Sequence, residues 1–146
     1  MLCVAGRGLL DEAVAEMLVQ LLDKHDIGAR TVSREAVSRG RIGALDARDA
    51  AMVCILYVDM AGSPANLRPL VRRLRQRCPN AAMLAGLWPE DDPVLRDQAA
   101  RRQMGADIYV TSLRDAVDAC LAAARGAEPP AAPLPRLQVV AGSPPA

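Results

Sequence analysis

Apolar runs of strand length recur along the chain at near-regular intervals, and between them the apolar residues switch to a helical spacing. That alternation limits the fold more than any other feature. The runs are LCVA (2–5), ARTVS (29–33), AMVCILYV (51–58), AMLAGLW (82–88) and DIYVT (107–111). The third is apolar almost throughout, as a strand covered on both faces must be. Strands separated by helix-length crossovers pair in parallel through right-handed connections. These patterns predict an α/β fold, a three-layer doubly wound parallel five-stranded sheet of flavodoxin-like order 2-1-3-4-5.

The helical patterns complete the plan. The first carries Leu10, Val14, Met17, Leu18, Leu21 and Leu22 at spacings of three and four, with Asp11 and Glu12 in the first turn, where the helix dipole favours acids. Ile27-Gly28 follows it, and the glycine suits a left-handed cap. The second crossover, SREAVSRGRIGALDARD, holds Gly40 and Gly43 and reads as a short or broken helix with a loop. The third helix begins near Ser63-Pro64 and buries Leu67, Leu70, Val71 and Leu74. A fourth follows Pro93, and a fifth runs from about Leu113 to Ala124. Residues 1–126 form the domain. From Ala127 to Ala146 six prolines make a Pro-rich C-terminal tail, whose centre, Leu137 to Ala141, is able to add a strand to a sheet edge but is more simply disordered.

Composition sets further limits. Aromatics are 2% of the chain and Phe is absent, so Ala, Val, Leu, Ile and Met must fill the core. Lys24 is the single lysine, and the abundance of Arg and Ala suits a bacterial coding sequence rich in G and C. A net charge of +1 argues against broad nucleic-acid binding. Cys3, Cys54, Cys78 and Cys120 are too far apart for a C-x-x-C chelate or redox pair and read as free structural thiols in a reducing cytosol. No stretch has the length of a membrane span, no signal peptide opens the chain, and a soluble domain is expected. The lone His25 assembles neither a metal site nor a catalytic triad.

In an open parallel sheet the ligand crevice lies beyond the carboxyl ends of the strands where the strand order reverses, here between the first and third. Two loops follow from that rule. Gly6-Arg7-Gly8 places backbone N–H groups at a helix start beside a guanidinium, a combination suited to phosphate or carboxylate. Asp11, however, stands where the third glycine of G-x-G-x-x-G would be and would repel a pyrophosphate. A plain strand-to-helix turn is the alternative.

The second loop carries Asp59 and Ser63. Its VDM-x-x-x-P (58–64) resembles the phosphoacceptor loop of response-regulator receivers, but the acidic pair after the first strand and the lysine after the fifth that such domains use are missing. Trp88 ends the fourth strand at the same rim, and Thr111 and Ser112 end the fifth. The hypothetical ligand set is therefore Gly6, Arg7, Gly8, Asp59, Ser63, Trp88, Thr111 and Ser112. Arg68, Arg72 and Arg75 share an outward stripe of the third helix, suited to anionic headgroups or an acidic partner or else simply solvated. The sequence calls for no cofactor, metal or catalytic residue.

Two resemblances bear on context. Gly105-Ala106-Asp107-Ile108-Tyr109-Val110 and the helix from Leu113 resemble the end of a cobalamin-binding domain, but that family's D-x-H-x-x-G is replaced by GRGLLDEA (6–13), so cobalt ligation by histidine is not expected. The stretches LCVAGRGLLDEAVAEML, Gly86-Leu87-Trp88-Pro89 and MGADIYVTSLRDAVDACLAAA are similar to the soluble C-terminal domain of some bacterial permeases of the autoinducer-2 exporter family. This resemblance implies a cytosolic domain on the inner face of the bacterial membrane, attached to a parent permease. The start would then lie just before the first strand of that domain, with the tail as the natural end of the longer protein.

The expected function is a non-catalytic regulatory or protein-interaction domain, with self-association through helices or an edge strand left open. The alternative is a sensor of a small anionic metabolite or nucleotide, and a degenerate receiver comes third.

Overall fold

The computed structural model describes residues 1–58, 66–87 and 96–126. Five strands, β1 (Leu2–Ala5), β2 (Arg30–Val32), β3 (Met52–Tyr57), β4 (Ala82–Leu87) and β5 (Ile108–Val110), form one sheet of order β2-β1-β3-β4-β5. Every pairing is parallel, with Leu2 opposite both Arg30 and Val53 and Met52 opposite Ala82. The flavodoxin-like α/β arrangement expected from the alternating runs is the one found. The two edge strands, β2 and β5, are three residues each, short enough to present little unpaired backbone.

Strand alternation sorts the apolar residues onto two faces. On one, Leu2, Val4, Val53, Ile55, Met83 and Ala85 meet α2 (Leu67–Arg77), α3 (Gln98–Met104) and the β2–β3 crossover. On the other, Cys3, Ala5, Cys54, Leu56 and Leu84 meet α1 (Leu9–Asp23) and α4 (Leu113–Ala124). Each fully buried Leu or Ile contributes about 1.5–3 kcal/mol relative to exposure. The α2 stripe of Leu67, Leu70, Val71 and Leu74 is buried as its spacing predicts. The β2–β3 crossover contains turns and a short 3-10 helix, Ile42–Ala44, and packs Val37, Leu45 and Ala47 into the first face.

Two expectations for α1 are corrected. The buried line is Asp11, Ala15, Leu18 and Leu22, whereas Leu10 and Met17 are 61% and 51% exposed. Nor does Gly28 provide the left-handed cap. Asp26 takes positive φ (57°), and the Ile27 N–H donates to the Leu22 carbonyl at 3.0 Å. That bond has the six-to-one pattern of a Schellman turn, and Ile27 packs beneath it on the second core. Asp tolerates the left-handed region better than most residues.

The remaining termini use the expected chemistry. The Asp97 carboxylate accepts from the Ala99 N–H at 2.8 Å to start α3, which ends at Gly105 with φ 82°. Among the described residues no helix is long and apolar enough to cross a membrane. The predicted tail and the candidate residues Asp59, Ser63 and Trp88 lie outside the described residues.

Candidate functional site

The carboxyl ends of β1 and β3 meet at the reversal of strand order, and the chain's own carboxylate occupies their junction. Asp11 is fully buried. It accepts from the Gly8 N–H at 2.9 Å and from the Val58 N–H at 2.5 Å, tying the turn after β1 to the end of β3 across 47 residues of sequence. Gly6 makes this approach feasible. A β-carbon there would lie 2.3 Å from Asp11 Oδ2 and 2.8 Å from Tyr57 Cδ1, so only glycine fits. The Gly6 N–H continues the sheet ladder to the Leu56 carbonyl at 2.9 Å.

In the Gly6-Arg7-Gly8 turn, expected to cradle an external anion, the Gly8 N–H serves an internal acid. Asp11 lies in the first turn of α1, as expected, and from there pins two loops together.

Above this junction opens a cleft of about 330 Å³. Its polar lining is Arg7, Arg34, Ser38, Arg39, Tyr57, Asn66 and Arg73, with no carboxylate among the described residues. The ion pairs found among those residues are Arg41–Glu35, Arg48–Asp46 and Arg75–Asp107, so the four arginines of the cleft are balanced by none of them. The Nε of Arg73 is buried and has no hydrogen-bond partner. Burial pushes the Tyr57 hydroxyl above its ordinary value; the guanidinium charges of Arg7, Arg34 and Arg73 pull it back, and the Asp11 carboxylate adds to the rise. Three elements thereby aim positive charge at one phenol. They are the turn after β1, the crossover after β2, and α2.

The other predicted site residues lie elsewhere. Thr111 and Ser112 follow β5, three strand spacings from β1, or about 14 Å. The Ser112 hydroxyl accepts from the Asp115 N–H at 3.0 Å and caps α4. Arg75 is committed as well, since its guanidinium donates to the Gly105 carbonyl at 2.9 Å and to Asp107 at 3.0 Å. Asp107 also accepts from the Met83 N–H at 2.8 Å, so it binds β4 to the start of β5. Arg68 and Arg72 remain exposed on α2.

Sequence reasoning missed Arg34, Ser38, Arg39, Tyr57, Asn66 and Arg73. The available signal was positional, because the loop after β2 also borders the point where strand order reverses.

Two of the cysteines meet in the second core, where hydrogen bonding to Cys54 lowers the Cys120 thiol against the rise from burial. All four are buried and unpaired. Cys54 and Cys120 lie with their sulfurs 3.5 Å apart, and Cys120 lies 3.6 Å from Met52 Sδ. Hydrogen bonding to Cys120 and Cys3, together with burial, holds the Cys54 thiol well above its ordinary value; burial also raises Cys78, against a lowering by the Arg77 charge. His25 is exposed, and no cluster of His, Cys, Asp or Glu suited to a metal occurs among the described residues. Comparisons with protein-family models, curated proteins and solved structures find no match to the chain.

Proposed function

We propose that the domain is a binding module that senses a small anionic ligand in the cleft beyond β1 and β3. The observation that carries this reading is the convergence of Arg7, Arg34, Arg39 and Arg73 on one hollow with no acid among its described lining residues, and with the buried Nε of Arg73 unpartnered. Guanidinium groups present a fork of donors matched to phosphate and carboxylate, and partial enclosure makes such contacts stronger than at an open surface. The hydroxyls of Tyr57 and Ser38 and the amide of Asn66 supply further donors. With neither carboxylate nor imidazole lining the cleft among the described residues, the set is suited to holding an anion rather than moving a proton.

Calorimetric titration and thermal shift against inorganic phosphates, organic phosphates and dicarboxylates test the reading. Saturable binding, weakened by about tenfold in Arg73→Gln and several-fold in Arg7→Ala without unfolding, is expected. A flat response across the panel would sink it.

A second reading is the interaction domain of a membrane permease, and a separate observation favours it. Leu9, Leu10 and Met17 are 86%, 61% and 51% exposed on α1. Large apolar side chains at neighbouring helix positions suit a protein contact. With the domain and the membrane spans expressed as separate chains, Leu10→Glu/Met17→Glu would then abolish their co-purification. Retained co-purification, or a native reading frame without such spans, would count against it. The two readings are compatible, since ligand occupancy on one side of the sheet and partner contact on the other is the layout of a regulatory module.

A further inference from the structure

The basic surface does not stop at the cleft. A second groove, of about 860 Å³, runs along the other side of α2 and is lined by Arg68, Arg72, Gln76 and Gln103. The two hollows share Arg39, Pro69 and Arg73. On a helical projection residues 73, 69, 76, 72 and 68 follow one another round a single arc of α2, with Pro69 and Gln76 between Arg73 and the Arg72–Arg68 pair, and Arg39 lines both hollows. Arg75, also on the groove, is held by Asp107 and Gly105 and is not counted. Neither hollow is lined by a carboxylate among the described residues.

We infer that cleft and groove are one extended site for a chain of condensed phosphates. The terminal phosphate lies among Arg7, Arg34 and Arg73, and the chain passes over Arg39 to Arg68 and Arg72. This inference rests on the anion-binding reading of the cleft and specifies its ligand class. A single phosphate engages two or three guanidinium groups and leaves the others uncompensated. Arg68 and Arg72 stand one helical turn apart, about 6 Å along the axis. One phosphate reaches both of these, so this pair and the Arg7, Arg34 and Arg73 cluster together call for several phosphates in a linear chain, of which orthophosphate supplies one. Such a chain comes from a nucleoside triphosphate or from free polyphosphate.

The test is calorimetry on the full chain at fixed salt, with orthophosphate, pyrophosphate, tripolyphosphate, ATP and GTP as probes. Tripolyphosphate is expected to bind at least about tenfold tighter than orthophosphate. Arg68→Ala/Arg72→Ala, and equally Arg68→Gln/Arg72→Gln, should collapse that ratio to within about threefold, with the circular dichroism spectrum unchanged. Arg114→Ala, on the exposed face of α4, should leave the ratio as it is. ATP or GTP binding tighter than tripolyphosphate identifies a nucleotide as the source, and equal affinity identifies the phosphate chain; both support the inference.

Tripolyphosphate binding no tighter than orthophosphate overturns the extended site while leaving the cleft intact. A ratio reduced as much by Arg114→Ala as by the α2 pair also overturns it, because the gain would then be diffuse electrostatics. Absence of binding by every probe overturns the cleft reading itself.

Discussion

Replacing Gly6 by alanine should be among the most damaging conservative changes in the chain, and its cost follows from the geometry. The new methyl carbon would lie 2.3 Å from Asp11 Oδ2, about an ångström inside an ordinary contact, and 2.8 Å from Tyr57 Cδ1. Moving the carboxylate that far breaks its bonds to the Gly8 and Val58 N–H groups, now 2.9 and 2.5 Å. Hydrogen bonds to a charged group contribute about 1.5–3 kcal/mol each, so disturbing both is costly for a carboxylate buried as deeply as Asp11. The expected loss is about 3 kcal/mol, or about 10 °C in Tm for a domain of this size.

Urea denaturation followed by circular dichroism measures the loss, and a double-mutant cycle with Asp11→Ala assigns it. If the clash with Asp11 is the cause, Gly6→Ala should cost less than about 1 kcal/mol once Asp11 is gone, a coupling of about 2 kcal/mol. A Gly6→Ala cost below about 0.5 kcal/mol, or strictly additive costs, would refute the argument that Gly6 exists to admit the carboxylate.

Two further outcomes follow from contacts outside the cleft junction and from its phenol. Asp107→Ala should cost about 2 kcal/mol because it leaves the Met83 N–H without its acceptor, whereas Arg75→Ala, which breaks a half-exposed ion pair, should cost less than about 1 kcal/mol; chemical denaturation that reverses this order would contradict the assignment. Because burial raises the Tyr57 hydroxyl in the folded state, its contribution is intact below the unfolded value of about 10 and is lost as pH rises through the higher folded value. Tyr57→Phe should therefore lose stability less steeply than the wild type between about pH 9 and 11, and identical slopes would count against a buried phenol.

The sheet was legible because parallel strands covered on both sides leave uninterrupted apolar runs, and β3 shows this best, with Met52 to Leu56 all buried. Helix α2 was legible for a similar reason, since its buried line consists entirely of Leu and Val. Helix α1 misled because its buried line contains Ala15 and Asp11, neither of which registers as strongly apolar, while Leu10 and Met17 supply periodicity on a face turned to solvent. No local rule buries Asp11. Its partner at Val58 is distant in sequence, and only the parallel pairing of β1 with β3 brings that N–H to it.

The turn after β1 was located from strand order alone, and the loop after β3, also expected on that ground, lies outside the described residues. Arg34 and Arg39 were not located, because the crossover that carries them has no helical or strand period to orient them. Arg73 differs from its arginine neighbours on α2 only by its angular position, which places it over the cleft.

The central claim is that these guanidinium groups form a site for an anion. Two-dimensional NMR of the arginine Nε–H groups, recorded while inorganic pyrophosphate is added, tests it most directly. The account predicts that the Arg73 Nε–H resonance, unpartnered in the free protein, moves and saturates together with those of Arg7 and Arg34, while that of Arg75 stays fixed. Uniform small drifts of all arginine signals without saturation, or an unmoved Arg73, would contradict it.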